Sequence, residues 1–195
     1  MFNATGPQSF NESTLTFAEL PAKSAGGAFT LACGKGLRRN NYSVNMKNFN
    51  LTTFRYVFDQ YSSFLSANPN ANQSAWLIEV FAQQAESAIP SHSSAYPNRG
   101  YDNIRQIIGA TYSDDSVADA VDENLRTLRN ACEATSGYDE FRVYQNYAHG
   151  DEPLEALYGY EKGRVQKLMC LKKKYDPTDV FKGYHDVPIP AEGTC

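Results

Sequence analysis

The spacing of apolar positions changes along the chain, and each change predicts an element. Between Leu37 and Phe49, Tyr42, Val44 and Met46 recur at period two, which predicts a strand. Asn50 can cap the helix that follows, whose Phe54, Val57, Phe58, Tyr61, Phe64 and Leu65 share one face until Asn68-Pro69-Asn70 ends it. Trp76 to Phe81 is apolar on both faces except at Glu79 and reads as a central strand. Ala88 to Asn98, with Ser, His and Pro, reads as a loop. Tyr101 to Tyr112 reads as another strand, although Ile104, Ile107 and Ile108 also fit a helix. Ser113 then stands where a helix cap belongs, before the stripe Val117, Val121, Leu125, Leu128 and Cys132. Towards the start, Ala28 to Cys33 reads as a strand and Gly34-Lys35-Gly36 as a turn, since it lacks the length and Ser/Thr of a phosphate loop. Residues 1–27 are polar and weakly periodic, with one helical turn at Phe17 to Leu20, and read as an arm or connector.

The chain is organised around Glu140 to Lys182. Phe141, Val143 and Gln145 alternate with Arg142, Tyr144 and Asn146, which predicts a strand carrying Tyr144 and Asn146 on one face. Tyr147 follows where that strand ends. Gly150-Asp151-Glu152-Pro153 predicts a helix start capped by Asp151. A last helix ends in Lys172, Lys173 and Lys174, as suits a helix C-terminus, and Pro177 closes it. The order of elements predicts an α+β fold, one antiparallel sheet covered on one face by helices.

Four features of this stretch, in order, carry a resemblance: Tyr144-Gln-Asn146-Tyr147, Tyr158-Gly159, the helix Arg164 to Leu171, and Lys174-Tyr175-Asp176-Pro177 through Val180-Phe181. Ala95-Tyr96-Pro97-Asn98-Arg99 extends it upstream, with Asn98 where a histidine is usual. The sequence resembles the C-terminal, substrate-side domain of FAD-linked oxidases of the berberine bridge enzyme type over roughly residues 28–185, leaving 186–195 as a tail. The resemblance implies that the uncovered sheet face looks onto a flavin and roofs a substrate pocket. It implies Tyr144 and Tyr147 as candidate catalytic bases, with Asn146, Glu79, Arg99 and His149 facing substrate or flavin. It also implies FAD, yet no FAD-binding fingerprint is present in this chain, so a separate flavin-binding protein is one expected partner.

Residue chemistry alone leaves alternatives open. A phenol titrates near pH 10 and becomes a useful base only when a cation or strong hydrogen bonds stabilise it. Half-buried tyrosines are common on sheets. Glu79 is either an acid–base group or an exposed position of an alternating strand. His92, His149 and His185 read as surface histidines, His149 being the best placed for proton transfer. Such groups would equally serve a cofactor-free cyclase or isomerase acting on a natural-product intermediate, or a non-catalytic binding module.

Composition narrows the rest. The chain has 195 residues, a formal net charge of -4, 13 Tyr and 11 Phe, enough for one core and little suited to nucleic acid or an anionic membrane. No apolar run approaches a membrane span, and no metal site is expected. Met1 to Pro7 does not read as a signal peptide, which by default places the protein in the cytoplasm. Five Asn-x-Ser/Thr triplets, at Asn3, Asn11, Asn41, Asn50 and Asn72, argue for a secreted ancestry. Cys33, Cys132, Cys170 and Cys195 are expected as buried free thiols rather than disulfides.

Overall fold

A computed structural model describes residues 13–23, 35–99 and 104–195. The chain divides into two units, Met1–Leu37 and Arg38–Cys195. In the first, the described part holds one short helix, α1 (Leu20–Lys23), with Glu19 accepting from Thr16 and Lys23. Gly36 takes φ +81 at the expected bend, a conformation favouring glycine. The strand expected at Ala28 to Cys33 lies outside the described residues.

The second unit is α+β. Its strands are β1 (Arg38–Met46), β2 (Ala75–Val80) and β3 (Ile104–Tyr112), and its sheet runs in the order β1-β3-β2, antiparallel throughout. Its helices are α2 (Leu51–Ala67), α3 (Gln84–Ser87), α4 (Ala118–Glu133), α5 (Leu154–Tyr158) and α6 (Arg164–Tyr175). Side chains alternate across a strand, so even-numbered positions of β1 and β3 share one face. Tyr42, Val44, Met46, Ile108, Ala110 and Tyr112 pack there against Phe54, Val57 and Tyr61 of α2 and Val121, Leu125, Leu128 and Cys132 of α4. This is the core. Asn50 caps α2 as expected, its side chain accepting from the Thr53 amide at 3.0 Å.

Five expectations are corrected. Glu140 to Asn146 is not a strand. An extended run lies along β1 but gives it a single backbone bond, Asn45 N to Arg142 O at 2.7 Å, and Gln145–Tyr147 then turns as a 3-10 helix. Trp76 to Phe81 is not central: β2 pairs only with β3 among the described residues, and Leu77, Ile78, Val80 and Phe81 are exposed. Phe58 is also exposed, because α2 is buried along a narrower stripe. Asp114, not Ser113, starts the fourth helix, through a 3-10 turn at Asp115–Val117 in which its side chain accepts from the Ser116 amide. Asp151 does not cap α5; it pairs with Arg129, while Glu152 accepts from the His149 and Gly150 amides.

Cysteine use also differs. Cys170 and Cys195 form a disulfide, and Cys132 is a buried thiol whose pKa burial pushes up to about 12. Cys33 lies outside the described residues.

Motif residues at the C-terminal end hold loops together. Gln145 donates to the Tyr158 hydroxyl, which donates to His185 O, so Tyr158 joins two loops. Gly159 has φ +101, and a Cβ there would stand 2.9 Å from Pro97 and 2.6 Å from the Glu161 carboxylate. Asp176 accepts from the Val180 and Phe181 amides and pairs with Lys172, which also meets Asp179 and Asp186. The Lys-Tyr-Asp-Pro segment is thus folded around one ammonium group.

Candidate functional site

Odd-numbered strand positions form the other face of the sheet. Asn41, Ser43 and Asn45 of β1 lie beneath the run 141–147; Asn41 donates to Tyr147 O at 2.8 Å. Leu77 and Glu79 of β2 stand beside Ile107 and Arg105 of β3, and Glu79 is the direct cross-strand partner of Arg105. Opposite charges so placed support each other.

Four of the expected site residues assemble there. The turn at Gln145–Tyr147 swings the Tyr147 ring over the sheet, where its hydroxyl donates to the Glu79 carboxylate at 3.0 Å. Tyr144 meets Tyr147 edge to face, ring centroids 5.3 Å apart. Asn146 donates to the Tyr144 hydroxyl at 2.9 Å. The expected side-by-side placement of Tyr144 and Asn146 is therefore met by a turn rather than a strand.

Electrostatics divide the labour. Burial pushes the Tyr147 hydroxyl above its ordinary acidity range, and the Glu79 carboxylate reinforces this; Arg105 opposes both. Tyr147 is held as a phenol that donates, and Glu79 as the group that accepts. The Arg105 guanidinium lies 4.6 Å from the Tyr144 ring centroid and 5.2 Å from that of Phe81, and donates to the Tyr96 hydroxyl at 2.9 Å. Burial raises the Tyr96 hydroxyl, and the nearby Arg105 charge partly offsets it.

Arg99 reaches the cluster only through Tyr96, 5.6 Å from its ring centroid; it also donates to Ser94 and to Glu86 O. His149 does not join it. Its ring stacks on Tyr42 at 3.8 Å, Nδ1 lies 3.1 Å from Asn41 O, and Nε2 lies 3.6 Å from Asp122. Tyr42 and Asp122 belong to the helix-covered side. Sequence reasoning missed Arg105 and Tyr96. Arg105 interrupts an apolar run as Glu79 does, a signal that was present; its partner depends on register, which was not.

Among the described residues no cluster of His, Cys, Asp and Glu could hold a metal ion, and no helix is long and apolar enough to cross a membrane. A cavity of about 300 Å³ lies between His92–Ala95 and the start of α6; none of Glu79, Tyr144, Asn146 and Tyr147 lines it.

Residues 143–188 match the family described as berberine and berberine like. The FAD-linked oxidoreductase tazL of Aspergillus terreus is 34% identical over 188 residues, covering 95% of this chain and 37% of the relative. The FAD-linked oxidoreductase srdI of Neurospora crassa is 38% identical over 153 residues, 76% of this chain and 29% of the relative. Among solved structures, a berberine bridge enzyme variant in complex with (S)-reticuline superposes with a TM-score of 0.66 at 14% identity, over 85% of this chain and 35% of that one. A carbohydrate oxidase from Microdochium nivale gives 0.60 at 17% identity, over 79% and 33%. The chain spans about a third of the length of these relatives.

Proposed function

The chain is a berberine-like domain of the FAD-linked oxidoreductase type, and from that premise we propose that its open sheet face binds a hydroxyl-bearing small metabolite and removes the hydroxyl proton during oxidation. The observation that carries this is the Tyr147–Glu79 hydrogen bond on the side of the sheet opposite the helical core. The substrate hydroxyl hands its proton to the Tyr147 oxygen while Tyr147 passes its own to Glu79. The shift leaves Tyr147 neutral throughout, which suits a phenol whose ionisation the site disfavours. Arg105 stands directly across the strands from Glu79, a cation beside the group that accepts. Asn146 fixes the Tyr144 hydroxyl, whose own hydrogen remains to meet the substrate. A natural-product pathway is the setting we assign.

The ring and amide groups of Tyr144, Tyr147 and Asn146 fit a flat aromatic ligand lying along the face. The nearest cation, Arg105, is turned onto Tyr96 and Tyr144 and is not placed for a pyrophosphate. The fit to FAD is thus limited to its ring. When bound, the flavin supplies the acceptor for hydride; its phosphates need groups from elsewhere, and a separately folded flavin-binding partner is the source we propose.

The test is an absorbance spectrum of the protein with added FAD, followed by oxidation of candidate alcohols with and without a flavin-binding domain. Substrate-dependent bleaching of the flavin that Glu79→Gln slows supports the reading; bleaching indifferent to Glu79→Gln and Tyr147→Phe sinks it. The same pair favours a second reading, cofactor-free proton transfer, because it needs no electron acceptor. Turnover by the protein without FAD distinguishes the two.

A further inference from the structure

Three of the five Asn-x-Ser/Thr triplets fall among the described residues, and the fold treats them differently. Asn41 is spent inside the molecule. Its side-chain amide donates to Tyr147 O at 2.8 Å, and Ser43, the third residue of its triplet, is 2% exposed. A sugar on that nitrogen would occupy the space of the run that covers β1. The Asn50 oxygen accepts from the Thr53 amide to cap α2, on a partly buried side chain. Asn72 is exposed. It closes the 3-10 turn Pro69–Ala71, only its backbone being engaged there, with Asn72 N donating to Pro69 O.

A second, independent observation bears on the compartment. The Cys170–Cys195 disulfide belongs to chemistry that persists in oxidising surroundings, the same lumen in which asparagines are glycosylated. We propose that the protein matures through the secretory pathway and that Asn72 carries an N-linked oligosaccharide. The transfer is balanced without redox change. Asn72 Nδ2 bonds to C1 of the first sugar of a lipid-diphosphate-linked oligosaccharide; the C1–O bond to the diphosphate breaks, the lipid diphosphate leaves, and Nδ2 gives up one proton.

The position gives the modification a use. Asn72 lies three residues before β2, whose outer edge is unpaired among the described residues and whose Leu77, Ile78, Val80 and Phe81 are exposed. Open, apolar edges are templates for association between chains. A bulky hydrophilic group at the head of the strand stands guard over that edge.

The experiment takes the protein from the organism that makes it, releases N-glycans enzymatically in heavy-oxygen water and maps peptides without reduction. The expected map shows a heavy-labelled aspartate at position 72, none at position 41, and a Cys170–Cys195 linked peptide. An unlabelled Asn72, a label at Asn41, or both cysteines recovered as thiols overturns the proposal. An Asn72→Gln variant made in the same host should lose one oligosaccharide in mass and aggregate sooner on warming; an unchanged mass overturns it equally.

Discussion

Two tyrosine–carboxylate hydrogen bonds stand on opposite sides of one sheet. Tyr42 donates to Asp122 at 2.9 Å on the helix-covered side, and Tyr147 donates to Glu79 at 3.0 Å on the other. The chemistry is the same and the surroundings are not. Tyr42 is 2% exposed, stacked on His149 and capped by the Arg129 guanidinium 4.7 Å from its ring centroid. Asp122 also accepts from Asn40 and pairs with Arg126. Burial raises the Asp122 carboxyl, but the Tyr42 and Asn40 hydrogen bonds and the Arg126 and His149 charges outweigh it and hold it below the ordinary range. Every partner there comes from the protein. The Tyr147–Glu79 pair has a cation, a ring and an amide around it and an open side. A phenol–carboxylate bond is thus by itself no sign of a reactive site; what counts is whether a further molecule can reach it.

Four measurements put this contrast at risk. The largest effect is expected for Glu79→Gln: hydroxyl oxidation by the flavin-reconstituted protein falls about 100-fold, while the urea midpoint moves by less than the equivalent of about 0.5 kcal/mol. A loss of stability matching the loss of rate would make the two pairs alike. Next is Arg129→Leu, which strips Asp151 of its bidentate partner and Tyr42 of its cation. It should cost about 2 kcal/mol in urea unfolding and leave turnover per folded molecule unchanged. A matched pair follows. Tyr42→Phe should cost about 1 kcal/mol, and Tyr147→Phe less than half as much, because water replaces the lost bond only on the open side. Equal costs would deny the open side altogether.

The smallest signal is a slope against pH. Burial, with the Asp122 hydrogen bond and charge, pushes the Tyr42 hydroxyl from about 10 to about 12. A raised value means that the folded state keeps its proton longer than the unfolded chain. The contribution is therefore whole below pH about 10 and is lost as pH rises towards about 12. Unfolding midpoints across that window should fall less steeply for Tyr42→Phe than for the parent; identical slopes would mean that Tyr42 is not the group responsible.

The helix-covered side was legible in the sequence because its signals are local. Tyr42, Val44 and Met46 repeat at period two, and Val121, Leu125, Leu128 and Cys132 repeat at the helical period, and all are buried as expected. The other side was legible in its members but not in its arrangement. Alternation of Phe141 and Val143 with Arg142 and Tyr144 reports which way side chains point. It does not report a hydrogen-bond ladder, and an extended run with a single bond to β1 alternates equally well. Edge or central position is set by strand order, which for β2 depends on β3 some thirty residues later. The Glu79–Arg105 cross-strand placement needed the register, and the sequence does not say that the His149 ring stacks on Tyr42 rather than reaching Tyr147. The Tyr-x-Asn-Tyr motif named Tyr144, Asn146 and Tyr147, which a turn brings into contact, where periodicity named a strand.

The disulfide has one more effect. Joining Cys170 to Cys195 turns the intervening stretch into a covalent ring, with Lys172 and its three aspartates inside it. A protease that cuts once within the ring, for example near the exposed Val180-Phe181, releases no fragment. The nicked protein keeps its mass but for one added water, runs as one band until a reductant is added, and then separates into two. The history of damage to this end of the molecule is stored in its connectivity, and a separation by size does not show it while the sulfurs stay joined.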